Sequence, residues 1–567
     1  MRNLIEGPVL AVRAIGGLHV VTLAWDFVEG QDAKKNRLLG FAIERSEIAK
    51  GEVIERYFLR GIKRFKFKDE GAPAASPMPT SEHPIQSFQW GDYTAKPATT
   101  YRYRVIPAYG VPKLLELDEA SATTVEINTE AEEGPRGGQG NARHDVYFNR
   151  GVAGSQAYAR KFGKNKPDEN DPKSEQMKWL SRGLFEALTG FIKIAAGEDA
   201  ADYKLRAMLY EFRYLPVGQA FAAAKKQGAD VAIRYEAQSY LEENEAMIAE
   251  ARIKGICKPQ KSRAGIRHNK FIVLIHKDKP VAVWTGSTNI SAGGIFGHSN
   301  VGHIVWDDDI ARLYLEYWQR LAEPDVTRGR LVAANLKAEA TPAPESAPPA
   351  GRMLTLFSPR DDKEEVPTLH WYADVMRSAK RMMCMTFAFN LDEIFEEILE
   401  SKDETLRYAV FDKTLDEGIV AQIDAAENNV IASGEKLEKG DMVNFLGEPL
   451  TGFNKNRYIH DKFILVDPLG EDPIVVTGSA NFSKPSQATN DENMLVIRGN
   501  ERVADIYFGE FMRIFDHLYT RYIVARMKAA GTNNPDAGYL KEKTNEWLPP
   551  HFTNIRKSLR RNYFMGR

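Results

Sequence analysis

Cysteine is nearly absent from this chain. Two residues in 567, Cys257 and Cys384, leave no material for a disulfide framework and suit a reducing compartment. No run of about 18 apolar residues occurs, so no membrane span is expected. The start, Met1-Arg-Asn-Leu-Ile-Glu-Gly-Pro8, lacks a sustained apolar core, so no signal peptide is expected. A cytoplasmic location is the resulting expectation; export by a route that needs no N-terminal signal stays compatible with it. There is no excess of either charge either. The formal net charge of −2 gives no global signal for nucleic acid or membrane. What is present is ordinary for soluble globular protein: 43% hydrophobic and 27% charged residues. The length predicts two to four domains.

Residues 1–130 read as all-β. Leu18 to Trp25, Phe41 to Arg45 and Tyr101 to Ile106 alternate with aliphatic positions between Gly-, Pro- and Asp-rich turns, which predicts a β-sandwich. The stretch from Asp92 to Val105 resembles the late strands of a fibronectin type III module, with Trp25 as the early core tryptophan. Its expected role is a folded spacer or a docking module for a protein partner. Residues 131–142 are Gly-rich and polar and read as a linker. In 143–325, a strand over Leu205 to Phe212, a helix over Val217 to Gln227 ending at Gly228 and a strand over Val231 to Tyr235 argue an α/β half. Residues 326–351 contain a Pro/Ala-rich run and read as a second linker. In 352–530 the same grammar restarts, with strands over Met353 to Ser358, Met382 to Phe389 and Thr405 to Phe411 and helices over Leu369 to Ala379 and Asp392 to Glu400. Residues 531–567 form a C-terminal tail whose run Arg556-Lys-Ser-Leu-Arg560-Arg561 reads as a solvated charged face.

One pattern occurs twice. His268-Asn-Lys270-Phe-Ile-Val-Leu-Ile275 is followed by Gly286-Ser287-Thr-Asn289. His460-Asp-Lys462-Phe-Ile-Leu-Val-Asp467 is followed by Gly478-Ser479-Ala-Asn481. Every matched position is offset by 192: 268 to 460, 270 to 462, 287 to 479, 289 to 481. Chance rarely keeps four polar positions in step across two such contexts. Each His-x-Lys opens an apolar run that reads as a buried strand, and residues i and i+2 of a strand share a face. Histidine and lysine of each copy are therefore expected to enter one site, and a returning strand delivers Gly-Ser-x-Asn beside them. The result is an imidazole, an ammonium, a hydroxyl and an amide on one small surface, twice.

These residues resemble the signature of the phospholipase D superfamily: His-x-Lys, an Asp after four more residues, then Gly-Ser-x-Asn. The second copy matches throughout, including Asp467; the first carries Ile275 where the Asp is expected. The family often has an acidic residue beyond the asparagine. Glu492 fits that position, whereas the comparable stretch Asn300-Val-Gly302-His303 has no carboxylate. The resemblance covers roughly residues 140 to 530. It implies a multidomain chain in which a bilobal α/β phospholipase D fold, built of two pseudo-symmetric halves, follows the N-terminal β-sandwich.

The residue types carry a chemistry of their own. One neutral imidazole attacks phosphorus, and the other donates a proton to the leaving oxygen and then activates water. Lys270 and Lys462 clamp the non-bridging oxygens, Asn289 and Asn481 donate hydrogen bonds to them, and Ser287 and Ser479 stand beside as substrate-binding groups. No metal and no cofactor is expected, because the lysines supply the charge. The resemblance implies the same phosphohistidine route. A carboxylate on the far nitrogen favours the nucleophilic imidazole, so Glu492 in the second half points to His460 as nucleophile and His268 as general acid; the reverse order stays open. Asp467 reads as structural, and His276, His298 and His303 receive no role.

The expected activity is a metal-independent phosphodiesterase, in the first place a nuclease, on account of the basic stretch from Lys254 to Arg267 that leads into His268. A phospholipase D or phosphatidyl transferase is the second reading, with Ile290 to Phe296 as an apolar loop at the cleft mouth. A non-catalytic scaffold that binds phosphate or docks a partner through the β-sandwich is the third.

Overall fold

The computed structural model describes all residues except 67–75, 136–141, 152–154, 262–264, 325, 339–347, 349–350, 362–363, 389–390, 413–414, 435–445, 449–458 and 532–537. Alternating β-branched and aromatic residues build two antiparallel sheets at the N-terminus. One has four strands, Arg2–Glu6, Leu10–Gly16, Val21–Phe27 and Gln89–Asp92. The other centres on Gly40–Ala49 and Thr100–Val111. Their inner faces share one core in which Trp25 is fully buried, its ring edge-on to Phe41 at 5.4 Å.

The C-terminal residues belong to this core, contrary to the reading of 531–567 as a tail. Trp547 and Leu548 enter it, Trp547 beside Phe41 and Phe88, with its indole N–H donating to the Leu38 carbonyl at 3.1 Å. The basic run lies on a helix, Ile555–Met565, where Arg561 pairs with buried Asp26. The run is amphipathic, with Phe564 and Met565 buried at its end, which a count of charges hides. Trp547→Ala is expected to cost about 3–5 kcal/mol of stability, as other buried Trp truncations do. Urea denaturation followed by circular dichroism reads this loss directly.

Two seven-stranded mixed sheets follow. The first consists, in spatial order, of Arg143–Phe148, Val301–Trp306, Lys279–Gly286, Lys270–His276, Tyr203–Leu209, Asp230–Glu236 and Cys257–Gln260. The second consists of Met353–Ser358, Glu492–Arg498, Ile474–Gly478, Phe463–Val466, Met382–Phe387, Leu406–Phe411 and Asn429–Ser433. Both follow one chain order: first, seventh, sixth, fifth, second, third, fourth. The second, third and fourth strands of each run parallel; the other pairings are antiparallel. Helices Leu215–Gln227 and Pro367–Arg377 connect second to third strand and first to second strand of their sheets, respectively. The first ends at Gly228, which takes the positive φ that a helix stop of this kind uses.

The 29-residue helix Glu501–Ala529 is the common spine. Phe508, Phe511 and Phe515 pack in one core cluster with Val273 and Val283 of the first sheet and Phe463 and Leu465 of the second. Its Asp505 also accepts from the Arg2 guanidinium at 2.9 Å, which ties the N-terminal sheets to the spine. The second expected linker, 326–351, begins as structure instead: Arg328–Ala338 is a helix with buried Leu331 and Asn335. Ala, Leu, Arg and Lys make up most of its sequence, and the prolines come only after it; most of that proline-rich part lies outside the described residues. Residues 136–141 of the 131–142 connection likewise lie outside them.

Candidate active site

In both sheets the apolar strand that follows His-x-Lys is buried along its length. Its hairpin partner runs back antiparallel and ends at the glycine of Gly-Ser-x-Asn. The histidine, lysine, serine and asparagine of each copy thus gather at one strand end. The glycines are required by close approach. A Cβ on Gly286, whose φ is +127°, would lie 2.3 Å from the Val301 carbonyl oxygen, and one on Gly478 would lie 2.2 Å from that of Asn493.

The two strand ends meet. The residue before each histidine pairs with the opposite sheet, Arg267 with Asp491, while Ile459 pairs with Ser299. The His268 amide donates to Asp491 O at 3.0 Å and the His460 amide to Ser299 O at 3.2 Å. The His268 and His460 rings consequently face each other with centroids 6.5 Å apart. Both histidines and both lysines are buried.

The partners of the two rings come from the opposite sheets. His268 Nδ1 lies 2.8 Å from Glu492 Oε2, and Ser479 Oγ donates to the same carboxylate oxygen at 2.8 Å. His460 Nδ1 lies 2.9 Å from Asn300 Oδ1 and 3.1 Å from the Ser287 carbonyl, and Ser287 Oγ donates to Asn300 Oδ1 at 2.8 Å. Glu492 therefore serves His268, not His460 as expected from their shared half. The strand pairing between the sheets exchanges the partners. Asn300 stands 192 residues before Glu492 and takes the equivalent place. The two serines hold these partner groups, rather than standing free as substrate-binding hydroxyls.

Each lysine ammonium donates to the carbonyl of its own histidine, Lys462 to His460 O at 2.6 Å and Lys270 to His268 O. Asn289 donates from Nδ2 to Glu211 Oε1 at 2.7 Å, while its Oδ1 and that of Asn481 are buried without partners. Glu211 and Tyr210 escaped the sequence reading. Tyr210 sets its ring edge-on to His268 at 4.7 Å and under the Lys270 ammonium at 5.0 Å. Only its place one residue beyond a strand end, where the family signature says nothing, could have drawn notice. Asp467 takes the structural role expected: its carboxylate accepts the backbone N–H groups of Lys380, Arg381 and Met382. His303 bonds to Tyr507 and His144 in the interior. His298 is closer to the chemistry than expected, its ring 6.2 Å from that of His460.

Burial sets the electrostatics. It holds His268 below the ordinary histidine value, against the opposing charge of Glu492. It pulls His460 well below that value, with Lys462 and Lys270 adding to the effect. The Lys270 ammonium is brought down to about 7 by burial, and Lys462 falls well below its usual range through burial and the repulsion of Lys270. Burial raises Glu492, but His268, Lys270 and Ser479 outweigh it and hold the carboxyl below its ordinary value. The pocket is thus short of negative charge, and a bound tetrahedral anion restores both lysines to their charged form. For Lys270 anion binding must then take up a proton, so its contribution to affinity is full below pH about 7 and falls as the pH rises through that value. The Ki of sulfate against turnover is expected to rise by up to about tenfold per pH unit above 7 for each linked proton. A flat Ki between pH 6 and 9 contradicts this. Among the described residues no cluster of three or more His, Cys, Asp or Glu side chains is placed to hold a metal ion.

Among solved structures, phosphatidylserine synthase from Haemophilus influenzae aligns at 10% identity over 68% of this chain and 92% of its own, with a TM-score of 0.41. Polyphosphate kinase from Porphyromonas gingivalis aligns at 13% identity over 59% of this chain and 48% of its own, so less than half of that chain is spanned; the TM-score is 0.38. Nuc from Salmonella typhimurium, a phospholipase D family member, aligns at 26% identity over 23% of this chain and 83% of its own, with a TM-score of 0.19. No curated protein matches the chain. Residues 376–517, which hold His460, Lys462, Asn481 and Glu492, match the family model described as "Cardiolipin synthase, PLD-like domain".

Proposed function

We propose that the protein is a phosphodiesterase that acts through a phosphohistidine intermediate on nucleic acid. The observation that carries the reading is the facing pair of buried histidines, 6.5 Å apart, flanked by two buried lysines. The two halves are read as pseudo-symmetric, each giving one His-Lys pair. His268 is the nucleophile, because Glu492 fixes its Nδ1 and leaves Nε2 free for phosphorus. Attack forms a P–N bond and breaks the P–O bond to the leaving group, whose oxygen takes a proton from His460 Nε2, a ring that the bound anion charges against the burial that otherwise keeps it neutral. Water then attacks phosphorus and gives a proton to His460, and the P–N bond breaks to free His268. Lys270 and Lys462 balance the charge on the non-bridging oxygens, with Asn289 and Asn481 at the same oxygens. The carboxylate beside His268 stabilises the cationic phosphoimidazole; the neutral amide of Asn300 leaves His460 readier to release its proton.

Two observations favour nucleic acid over phospholipid. Ile290, Ile295 and Phe296 are packed in the first sheet's core, so this stretch offers no apolar surface to a membrane. Tyr240 lies edge-on to Tyr210, and the Arg213 guanidinium, paired with Glu211 at 2.9 Å, lies over Tyr240 at 4.8 Å, which sets an aromatic cluster beside His268. Of the basic stretch Lys254 to Arg267, Arg267 is spent on Asp491 and on the Lys261 carbonyl and is not available to a polyanion. The test is cleavage of single-stranded DNA, duplex DNA, RNA and phosphatidylcholine vesicles in parallel, with EDTA present. Polynucleotide cleavage that disappears in His268→Ala is expected. Release of choline, or silence on every substrate, contradicts the proposal.

A further inference from the structure

Between the N-terminal sheets and the spine helix lies a cleft of about 1300 Å³. None of the four histidine and lysine residues of the active site lines it. Its wall holds ten lysine and arginine residues against three carboxylates, Asp92, Asp516 and Glu546, in a chain whose net charge is −2. Two of those carboxylates are already engaged: Asp92 with Arg45 and Tyr103, and Asp516 with Tyr93. Among the described residues, Lys63, Arg150, Arg160, Lys541, Lys557 and Arg560 stand beyond ion-pair distance of any carboxylate. Arg150 Nε, Arg560 Nε and His517 Nε2, all on residues of this wall, are buried without a hydrogen-bond partner. Lys63 and Lys557 keep exposed surface on this wall. Burial and the repulsion of neighbouring cations hold both ammonium groups below their usual range.

Ten cations along one wall repel one another, most strongly at half-buried Arg150 and Arg560, where water screens less, and a bound polyanion relieves that repulsion. Half-buried aromatic side chains, Tyr57, Trp90, Trp179 and Tyr539, share the same wall. Ligand pockets commonly measure about 300–1,000 Å³, so the cleft exceeds what a single phosphate needs. We propose that this cleft is a second, non-catalytic site for a compact ligand with several adjacent phosphates. The cations take the phosphate chain, and the aromatic residues offer a stacking surface to a base when the ligand is a nucleotide. The chemistry is shared by nucleoside triphosphates and by inorganic polyphosphate chains, and two ligands separate these sources.

The test is calorimetric titration of the full chain at low salt with ATP and, separately, with inorganic tripolyphosphate. Binding of one or both is expected, unchanged in His268→Ala. The double reversal Lys63→Glu with Lys557→Glu is expected to raise Kd about tenfold or more while hydrolysis of bis(p-nitrophenyl) phosphate stays the same. Neutral replacements, Lys63→Gln with Lys557→Gln, give a smaller rise and serve should the reversal fail to fold. Tighter binding of ATP assigns the base to the aromatic wall; equal binding assigns recognition to the phosphate chain. Absence of binding with both ligands overturns the proposal. So does loss of binding in His268→Ala, or binding that ignores the lysine substitutions.

Discussion

On bis(p-nitrophenyl) phosphate, His268→Ala is expected to lose turnover by about 10⁴-fold or more, as removal of a nucleophile commonly does. His460→Ala should behave differently on the same ester. Nitrophenolate is weakly basic and departs without a proton, so the first step proceeds and one equivalent is released in a burst. The second step then stalls, because no base activates water. On a natural ester with an alkoxide leaving group, the same variant loses both steps, and general acid–base help of about 10²–10⁴-fold disappears. This split follows from the asymmetry of the ring partners, a carboxylate on His268 and an amide on His460. Stopped-flow release of nitrophenolate measures it. A burst in His268→Ala and none in His460→Ala would reverse the assignment.

Glu492→Gln is expected to reduce turnover by about 10²–10⁴-fold with the fold intact, since the amide keeps the size and an acceptor but not the charge. Glu492 is fully buried, and its charge is felt by His268 and by both lysines. Without it the cationic phosphoimidazole loses its counter-ion, and Lys270 and Lys462 lose the one carboxylate that favours the ammonium form of both. The burst should slow along with the steady state, while circular dichroism stays that of the wild type. A merely structural role for Glu492 predicts a lower melting temperature with an unchanged burst rate.

The repeated motif was legible because strand periodicity and the 192-residue offset are local properties of the sequence. They placed His268, Lys270, His460 and Lys462 at one kind of strand end, and the structure brings them together. Partner exchange was not legible. It depends on how two sheets meet, through the Arg267–Asp491 and Ile459–Ser299 pairings, and no spacing within one half encodes that. The offset did point to Asn300 as the counterpart of Glu492, but only the tertiary contact shows which histidine each one serves. Glu211 was hidden for a similar reason, since its carboxylate reaches Asn289 across 78 residues. At the C-terminus, charge patterning concealed Trp547, whose single ring completes the N-terminal core.

The most direct measurement traps the covalent intermediate. His460→Ala is mixed with bis(p-nitrophenyl) phosphate, quenched in alkali where phosphohistidine survives, digested, and mapped by mass spectrometry. An adduct on the peptide that contains His268 is the predicted result. An adduct elsewhere, or stoichiometric nitrophenolate release with no adduct, contradicts the account.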